Sequence, residues 1–168
     1  IASSGAVNLS HTTVSGNRFY KVGLLGSGGG LLASGGGTLT NSVIAGNTEE
    51  NTTIAANLSG HLEQHGVNRI DGDAQLDGLA ANGGPTRTLM PRMGSPLVDA
   101  ASCLPDFAFD QRGQPRPGSN SAGGRCDIGA VETQKGASSG GAAQHVDFPA
   151  IGTQAPGLAF MLTASASS

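Results

Sequence analysis

The chain lacks tryptophan altogether, carries only five phenylalanines and one tyrosine, and has 12% charged residues. That shortage, set beside 28 glycines in 168 residues, departs from the usual globular mixture toward a repetitive, turn-rich architecture. Basic residues are few: nine Lys and Arg against twelve Asp and Glu, and they are scattered. No basic face is available for a phosphate backbone, which excludes nucleic acid as a partner. Long hydrophobic runs are also missing. The longest candidate, Gly157 to Leu162, falls far short of the roughly 20 apolar residues that a membrane helix needs, so no membrane span is expected. The sequence starts at Ile1 with neither an initiator methionine nor a signal peptide, inside what reads as regular structure, and a processed or truncated product is expected.

Cysteine occurs twice, at Cys103 and Cys126, on either side of a Pro/Gly-rich loop. A local disulfide there would hold otherwise poorly packed chain and contribute about 3 kcal/mol through loop entropy. Two buried free thiols are the alternative. Neither cysteine has a histidine arrangement that would make it a nucleophile. Disorder competes weakly, because the apolar residues come in short β-branched clusters.

What is present is self-similarity. Val7-Asn8-Leu9-Ser10-His11-Thr12-Thr13-Val14-Ser15-Gly16-Asn17 aligns with Gly37-Thr38-Leu39-Thr40-Asn41-Ser42-Val43-Ile44-Ala45-Gly46-Asn47 at a register of thirty residues. Each copy reads as two short strands and a turn. Leu9 and Leu39 point inward on the first strand and Val14 and Ile44 on the second, with Ser and Thr at the alternating outward positions. Such a unit buries its apolar face only by stacking on its neighbour, which sets like residues above like. Asn17 over Asn47 then forms an amide ladder, and the glycines before them supply the positive φ of sharp corners. Leu31-Leu32-Ala33, inside a Gly/Ser tract whose alternative reading is a flexible linker, is placed where a third strand closes the turn. A degenerate third copy runs from Thr53 to Ile70.

Four further elements occur in order: Asn82-Gly83-Gly84-Pro85-Thr86-Arg87-Thr88, Gly94-Ser95-Pro96-Leu97-Val98-Asp99, Asp110-Gln111-Arg112-Gly113-Gln114-Pro115-Arg116-Pro117, and Cys126-Asp127-Ile128-Gly129-Ala130-Val131-Glu132. This series is similar to the ending of the choice-of-anchor Q type of bacterial β-helix proteins. The resemblance implies an all-β, right-handed parallel β-helix of few rungs, of pectin-lyase-like architecture, exported from a bacterium. It divides the chain into rungs over 1–75, an irregular Pro/Gly-rich C-terminal cap over 76–132, and a linker and extended tail over 133–168. The family ending carries no catalytic residues. Asp99, Asp110, Arg112, Asp127 and Glu132 are expected as cap residues, pairing with backbone amides or with Arg112 and Arg116. After Glu132 the chain departs from the family, showing no anchor helix, sortase-like motif or terminal basic cluster.

Residues that could carry chemistry have bland readings beside sharp ones. Asp71, Asp73 and Asp77 could form a carboxylate pair for glycoside chemistry or bind Ca²⁺, but Asp-Gly-Asp is also a common turn. Gly60-His61-Leu62 and Arg69-Ile70-Asp71 resemble stretches of polygalacturonases, except that Asp71 stands where those have lysine. His11, His61, His65 and His145 read as solvated loop histidines, since the glycines at 60 and 66 argue against a helix presenting His61 and His65 to a metal. The sequons at Asn8, Asn51 and Asn57 arise readily in a chain rich in Asn, Ser and Thr. Leu158, Phe160 and Leu162 alternate as one apolar face of a tail strand suited to docking or self-assembly, with a disordered tail as the alternative.

No catalytic residue, metal site or cofactor is therefore assigned. A secreted or cell-surface structural or adhesive module is expected. Its partners would be further copies of itself, the remainder of a longer β-helix, or a cell-surface glycan. The alternatives are a fragment of a polysaccharide lyase or glycosidase, or a module stabilised by Ca²⁺.

Overall fold

The computed structural model describes residues 1–19, 29–49, 56–119 and 121–134, together with the strand backbones at 146–147 and 165–166. Three successive tiers of short strands make up its first part. Tier one holds β1 (Ala2–Ser3), β2 (Val7–Ser10), β3 (Thr13–Ser15) and β4 (Arg18–Phe19). Tier two repeats the set as β5 (Leu31–Ala33), β6 (Gly37–Thr40), β7 (Val43–Ala45) and β8 (Thr48–Glu49). Tier three has β9 (Leu58–Gly60), β10 (Glu63–His65) and β11 (Arg69–Ile70). Like strands pair in parallel between tiers, giving the sheets β1-β5-β9, β2-β6-β10, β3-β7-β11 and β4-β8. No α-helix occurs among the described residues, and none of their helical segments is long and apolar enough to cross a membrane.

The thirty-residue register holds between tiers one and two, where Leu9 lies beside Leu39, Val14 beside Ile44 and Arg18 beside Thr48. Tier three is shorter, with Leu58 beside Leu31, Gln64 beside Leu39 and Ile70 beside Ile44. Its apolar pattern is blurred because Gln64 occupies the position of Leu39, while Leu62, outside the strand, joins the core instead. Leu31, Leu39 and Ile44 are fully buried in the cluster with Val14, Ala33 and Leu62, and each contributes roughly 1.5–3 kcal/mol of burial. Leu31–Ala33 does form a strand, the first of tier two, and it pairs with β1 on one side and β9 on the other.

The corners are set by backbone conformation. His11 and Asn41, at the same corner of successive tiers, both adopt left-handed φ, at 44° and 46°. Gly66 takes the equivalent place in tier three with φ 61°, and a Cβ there would meet Asn41 Oδ1 at 2.2 Å. Polar ladders tie the corners between tiers. Thr12 N donates to Ser42 Oγ, and Ser42 N donates to Asn68 Oδ1. At the next corner Asn17 Nδ2 donates to Asn47 Oδ1 at 2.9 Å, and Asn47 Nδ2 donates to Asn57 Oδ1 at 3.0 Å and to Val14 O at 2.9 Å. Asn57 Nδ2 then donates to Asp71 Oδ1. The ladder expected from Asn17 and Asn47 thus extends by two more members.

The outward face of the second copy departs from expectation. Val43 and Ala45 point away from Ile44 yet are as buried as it is, because a second cluster of Ala74, Leu97, Ala101 and Ile128 covers them. The Pro/Gly-rich segment after β11 therefore packs on the face of the third sheet. It is held by isolated antiparallel bridges, Leu76 to Pro91, Ala80 to Thr88, Ala101 to Cys126 and Phe109 to Pro115. Residues Ile1–Gly136 form one compact unit, so the tiers and the segment expected to cap them are not separate bodies. Ala137–Ser168 forms another, in which β12 (Val146–Asp147) pairs antiparallel with β13 (Ser165–Ala166). Leu158, Phe160 and Leu162 lie outside the described residues.

Truncating a fully buried member of the amide ladder strands several polar groups at about 1–3 kcal/mol each. Asn47→Ala is expected to destabilise the protein by about 3 kcal/mol in urea unfolding, whereas Asn17→Ala, at an exposed position, costs under about 1 kcal/mol.

Candidate functional site

Beside the third sheet, the segment from residue 95 to 134 folds around a buried charged centre. Cys103 and Cys126 are joined in a disulfide, and Ala101 and Cys126 exchange backbone hydrogen bonds, so the loop between them is closed twice at its base. Two ion pairs lie inside. Arg112 grips Asp110 through Nε and Nη2, and Arg116 Nη1 meets Glu132 Oε2 at 2.7 Å. All four side chains are at most 5% exposed.

The remaining lone pairs are satisfied by backbone amides. Asp110 accepts from the amides of Arg112, Gln114 and Glu132. Glu132 accepts from Gly118 and Asp127, and Asp127 accepts from Asp99 and Thr133. Arg112 also donates to the carbonyls of Asn82 and Glu132, and Arg116 to those of Asp127 and Gly129. Arg125 donates to the carbonyls of Asp99 and Ala100. Burial pushes the carboxyls of Asp127 and Glu132 above the ordinary range and lowers Arg116, against the attraction of Glu132. Asp110, Arg112, Asp127 and Glu132 thus bind loop backbone through their side chains, while Asp99 joins them through its own amide and carbonyl. Each Asp110 oxygen accepts at least two bonds, which leaves that carboxylate poorly placed to act as a base.

A cleft of about 340 Å³ opens between this centre and the corner before β3. Its wall includes His11, which, contrary to a solvated loop reading, is 6% exposed and packs on Phe107 with ring centroids 5.7 Å apart. A lone histidine in a polar stretch gives no sequence signal of burial; what buries it is Phe107, ninety-six residues further along the chain. Burial first, and the nearby Arg116 charge second, lower its pKa to about 4. Asn41 Nδ2 lies 3.4 Å from His11 Nε2, and Nδ1 has no partner among the described residues. Asn41 also donates to Ser102 O and accepts from Val67 N. One corner residue therefore links tiers one, two and three to the disulfide loop.

The acidic candidates of tier three are placed apart from this cleft's lining. Asp71 accepts from Asn57, Asp73 Oδ1 accepts from Gln75 N, and Asp77 pairs with Arg92 at 3.1 Å. His65 lies 3.6 Å from Glu63 on the exposed β10, and no group of three metal-binding side chains is found among the described residues. Asn57, one of the sequons, is 3% exposed and tied into the ladder, whereas Asn8 is exposed. Asn51 and His145 lie outside the described residues. No family model, no curated protein and no solved structure matches this chain.

His11 makes stability depend on pH. Its pKa of about 4, below the ordinary 6.5, means that the fold binds fewer protons than the unfolded chain between those values. Its contribution, at most about 3 kcal/mol, is complete above pH 6.5 and is lost as pH falls toward 4. Asp127 and Glu132, with raised values, act in the opposite direction and remain in a His11→Asn variant. Asparagine suits the corner, as Asn41 does. Urea unfolding at pH 7 and pH 4.5 is expected to show parent protein losing stability relative to the variant; equal losses would mean that His11 is not held neutral.

Proposed function

We propose that the chain is part of a right-handed parallel β-helix of the choice-of-anchor Q type, serving as a structural or adhesive module that is secreted or displayed on a bacterial surface. The observation that carries this reading is the stack of parallel strand tiers with polar ladders at its corners, covered on its third sheet by residues of the ordered Asn82–Glu132 series. A disulfide at the base of that series fits an oxidising compartment. Asp110, Arg112, Arg116, Asp127 and Glu132 are engaged in holding loops, which suits a scaffold better than a reaction site.

Self-association is part of the proposal. Leu9 in tier one, and Leu58 and Ile70 in tier three, are half-buried, while their tier-two equivalents Leu39, Leu31 and Ile44 are fully buried. A further tier from a second copy, added in parallel on the edge of β2 or β10, extends the same burial. The alternative, a polysaccharide lyase or glycosidase, requires a free carboxylate pair in a groove.

Light scattering of the purified chain is expected to give a mass that rises above 16.6 kDa with concentration, and incubation with polyuronates and neutral glucans is expected to release no unsaturated or reducing sugar. A mass that stays monomeric overturns self-association; sugar release replaces the scaffold reading with the enzyme alternative.

A further inference from the structure

The two ends of the stack of tiers are unlike, and they match each other. In a parallel pair every second residue of a strand turns its N–H and C=O toward the same neighbour. Val7 N and His11 N donate to Gly36 O and Thr40 O, so on β2 the groups of Val7 and Leu9 serve tier two while those of Asn8 and Ser10 face away from it. Carried through the register of Gln64 beside Leu39, the same alternation turns the N–H and C=O of Gln64 away from tier two at the other end.

The side-chain ladders have a direction as well. Thr12 N donates to Ser42 Oγ and Ser42 N to Asn68 Oδ1; Asn17 N donates to Asn47 Oδ1 and Asn47 N to Asn57 Oδ1. Each of these amides bonds a side-chain oxygen of the tier that follows it. At the tier-one end this leaves acceptors, since Thr12 Oγ1 and Asn17 Oδ1 receive no bond among the described residues. At the tier-three end it leaves a donor, since Asn68 N has no acceptor among them.

Shape and charge differ in the same sense. A mainly apolar depression of about 320 Å³ lies at the tier-one end, where Ile1 and Val14 are walled by Leu79, Leu89 and Val131 with Arg87 beside them. At the tier-three end Leu58 and Ile70, in register with Leu31 and Ile44, stay half-buried. Arg18 and Arg87 are exposed at the first end, whereas the third carries exposed Glu63, Asp71 and Asp73 against one half-buried arginine, Arg69.

From these complementary ends we propose that copies of the chain meet head to tail, the tier-three end of one seated on the tier-one end of the next. The register of the tiers carries across the junction. Gln64 of one copy lies between Asn8 and Ser10 of the next, donating to Asn8 O and accepting from Ser10 N, and Asn68 N donates to Thr12 Oγ1. Leu58 covers Ile1, and Ile70 enters the depression above Val14. Like ends lack this match, because tier three on tier three sets acids against acids and tier one on tier one sets acceptors against acceptors. A junction between unlike ends leaves one of each free on every growing assembly, so the product is an open, polar filament. The proposal rests on the self-association reading above and specifies which edges carry it.

Blocking one end at a time tests it. Proline at a position whose N–H faces away from its own sheet removes only the outward donor. Ser10→Pro closes the tier-one end and Gln64→Pro the tier-three end. In analytical ultracentrifugation the parent chain is expected to form species larger than a dimer, each variant alone to remain at 16.6 kDa, and their equimolar mixture to stop at the dimer, because each supplies one intact end. A mixture that stays monomeric beside an assembling parent, or a single variant that assembles as the parent does, overturns the head-to-tail junction and leaves self-association standing; a parent that stays monomeric removes both. Hydrogen exchange of the parent gives a second readout that needs no variant to fold. The amides of Ser10 and Gln64 are expected to exchange at least about tenfold more slowly in concentrated, assembled protein than in dilute monomer, and unchanged exchange at either one overturns the junction.

Discussion

β7 is only three residues long, Val43–Ala45, and it is buried on both faces. Ile44 fills the interior of the stack, while Val43 and Ala45 fill the cluster with Leu97 and Ile128. Much else depends on that double burial. Parallel pairing to β3 and β11 fixes its height in the stack, and the alternation of a strand fixes which side chains face outward. The irregular segment then has an apolar surface to condense on, and with only a short 3-10 turn at Ala122–Gly124 and isolated bridges among its described residues it has few other means of organising. A shift of one residue in β7 would turn Ile44 outward and bring Val43 and Ala45 into the stack, spoiling both clusters together.

The charged centre follows from the same arrangement. A loop-rich segment held on a sheet face buries backbone amides and carbonyls that no ladder can pair. Asp110, Asp127 and Glu132 supply acceptors for the amides, and Arg112, Arg116 and Arg125 supply donors for the carbonyls. Removing one charge leaves its partner buried and uncompensated, so such a centre resists piecemeal change more than it adds net stability. The polar corners of the tiers apply the same logic on a smaller scale, with Asn41, Ser42 and Asn47 each bridging neighbours that backbone geometry alone would leave apart.

Period-thirty identity made the first two tiers legible, because Leu9 and Leu39, or Asn17 and Asn47, are the same residue in the same place. Tier three was harder, since a shorter spacing and Gln64 in place of leucine break the pattern while backbone pairing survives it. Val43 and Ala45 gave a usable signal that alternation obscured: three consecutive apolar residues in a three-residue strand mean two buried faces. Asp110, Arg112, Asp127 and Glu132 stood out together in the sequence as charged members of ordered motifs, but their partners did not. Arg116 to Glu132 spans sixteen residues of turn-rich chain, and His11 to Phe107 joins opposite ends of the unit, distances at which local pattern carries no information. The cleft beside β3, lined from both ends of the unit, was invisible for the same reason.

The central claim is that the stack and the segment on its third sheet are one cooperative body joined through β7. Native-state hydrogen exchange measures this directly. The amides of Val43, donating to Thr12 O, and of Ile128, donating to Leu97 O, report one from each side of the junction. The account predicts that both open with the same free energy and the same denaturant dependence, at the level of global unfolding. Exchange of Ile128 at markedly lower free energy, with Val43 still protected, would contradict it and show that the segment folds as an appendage.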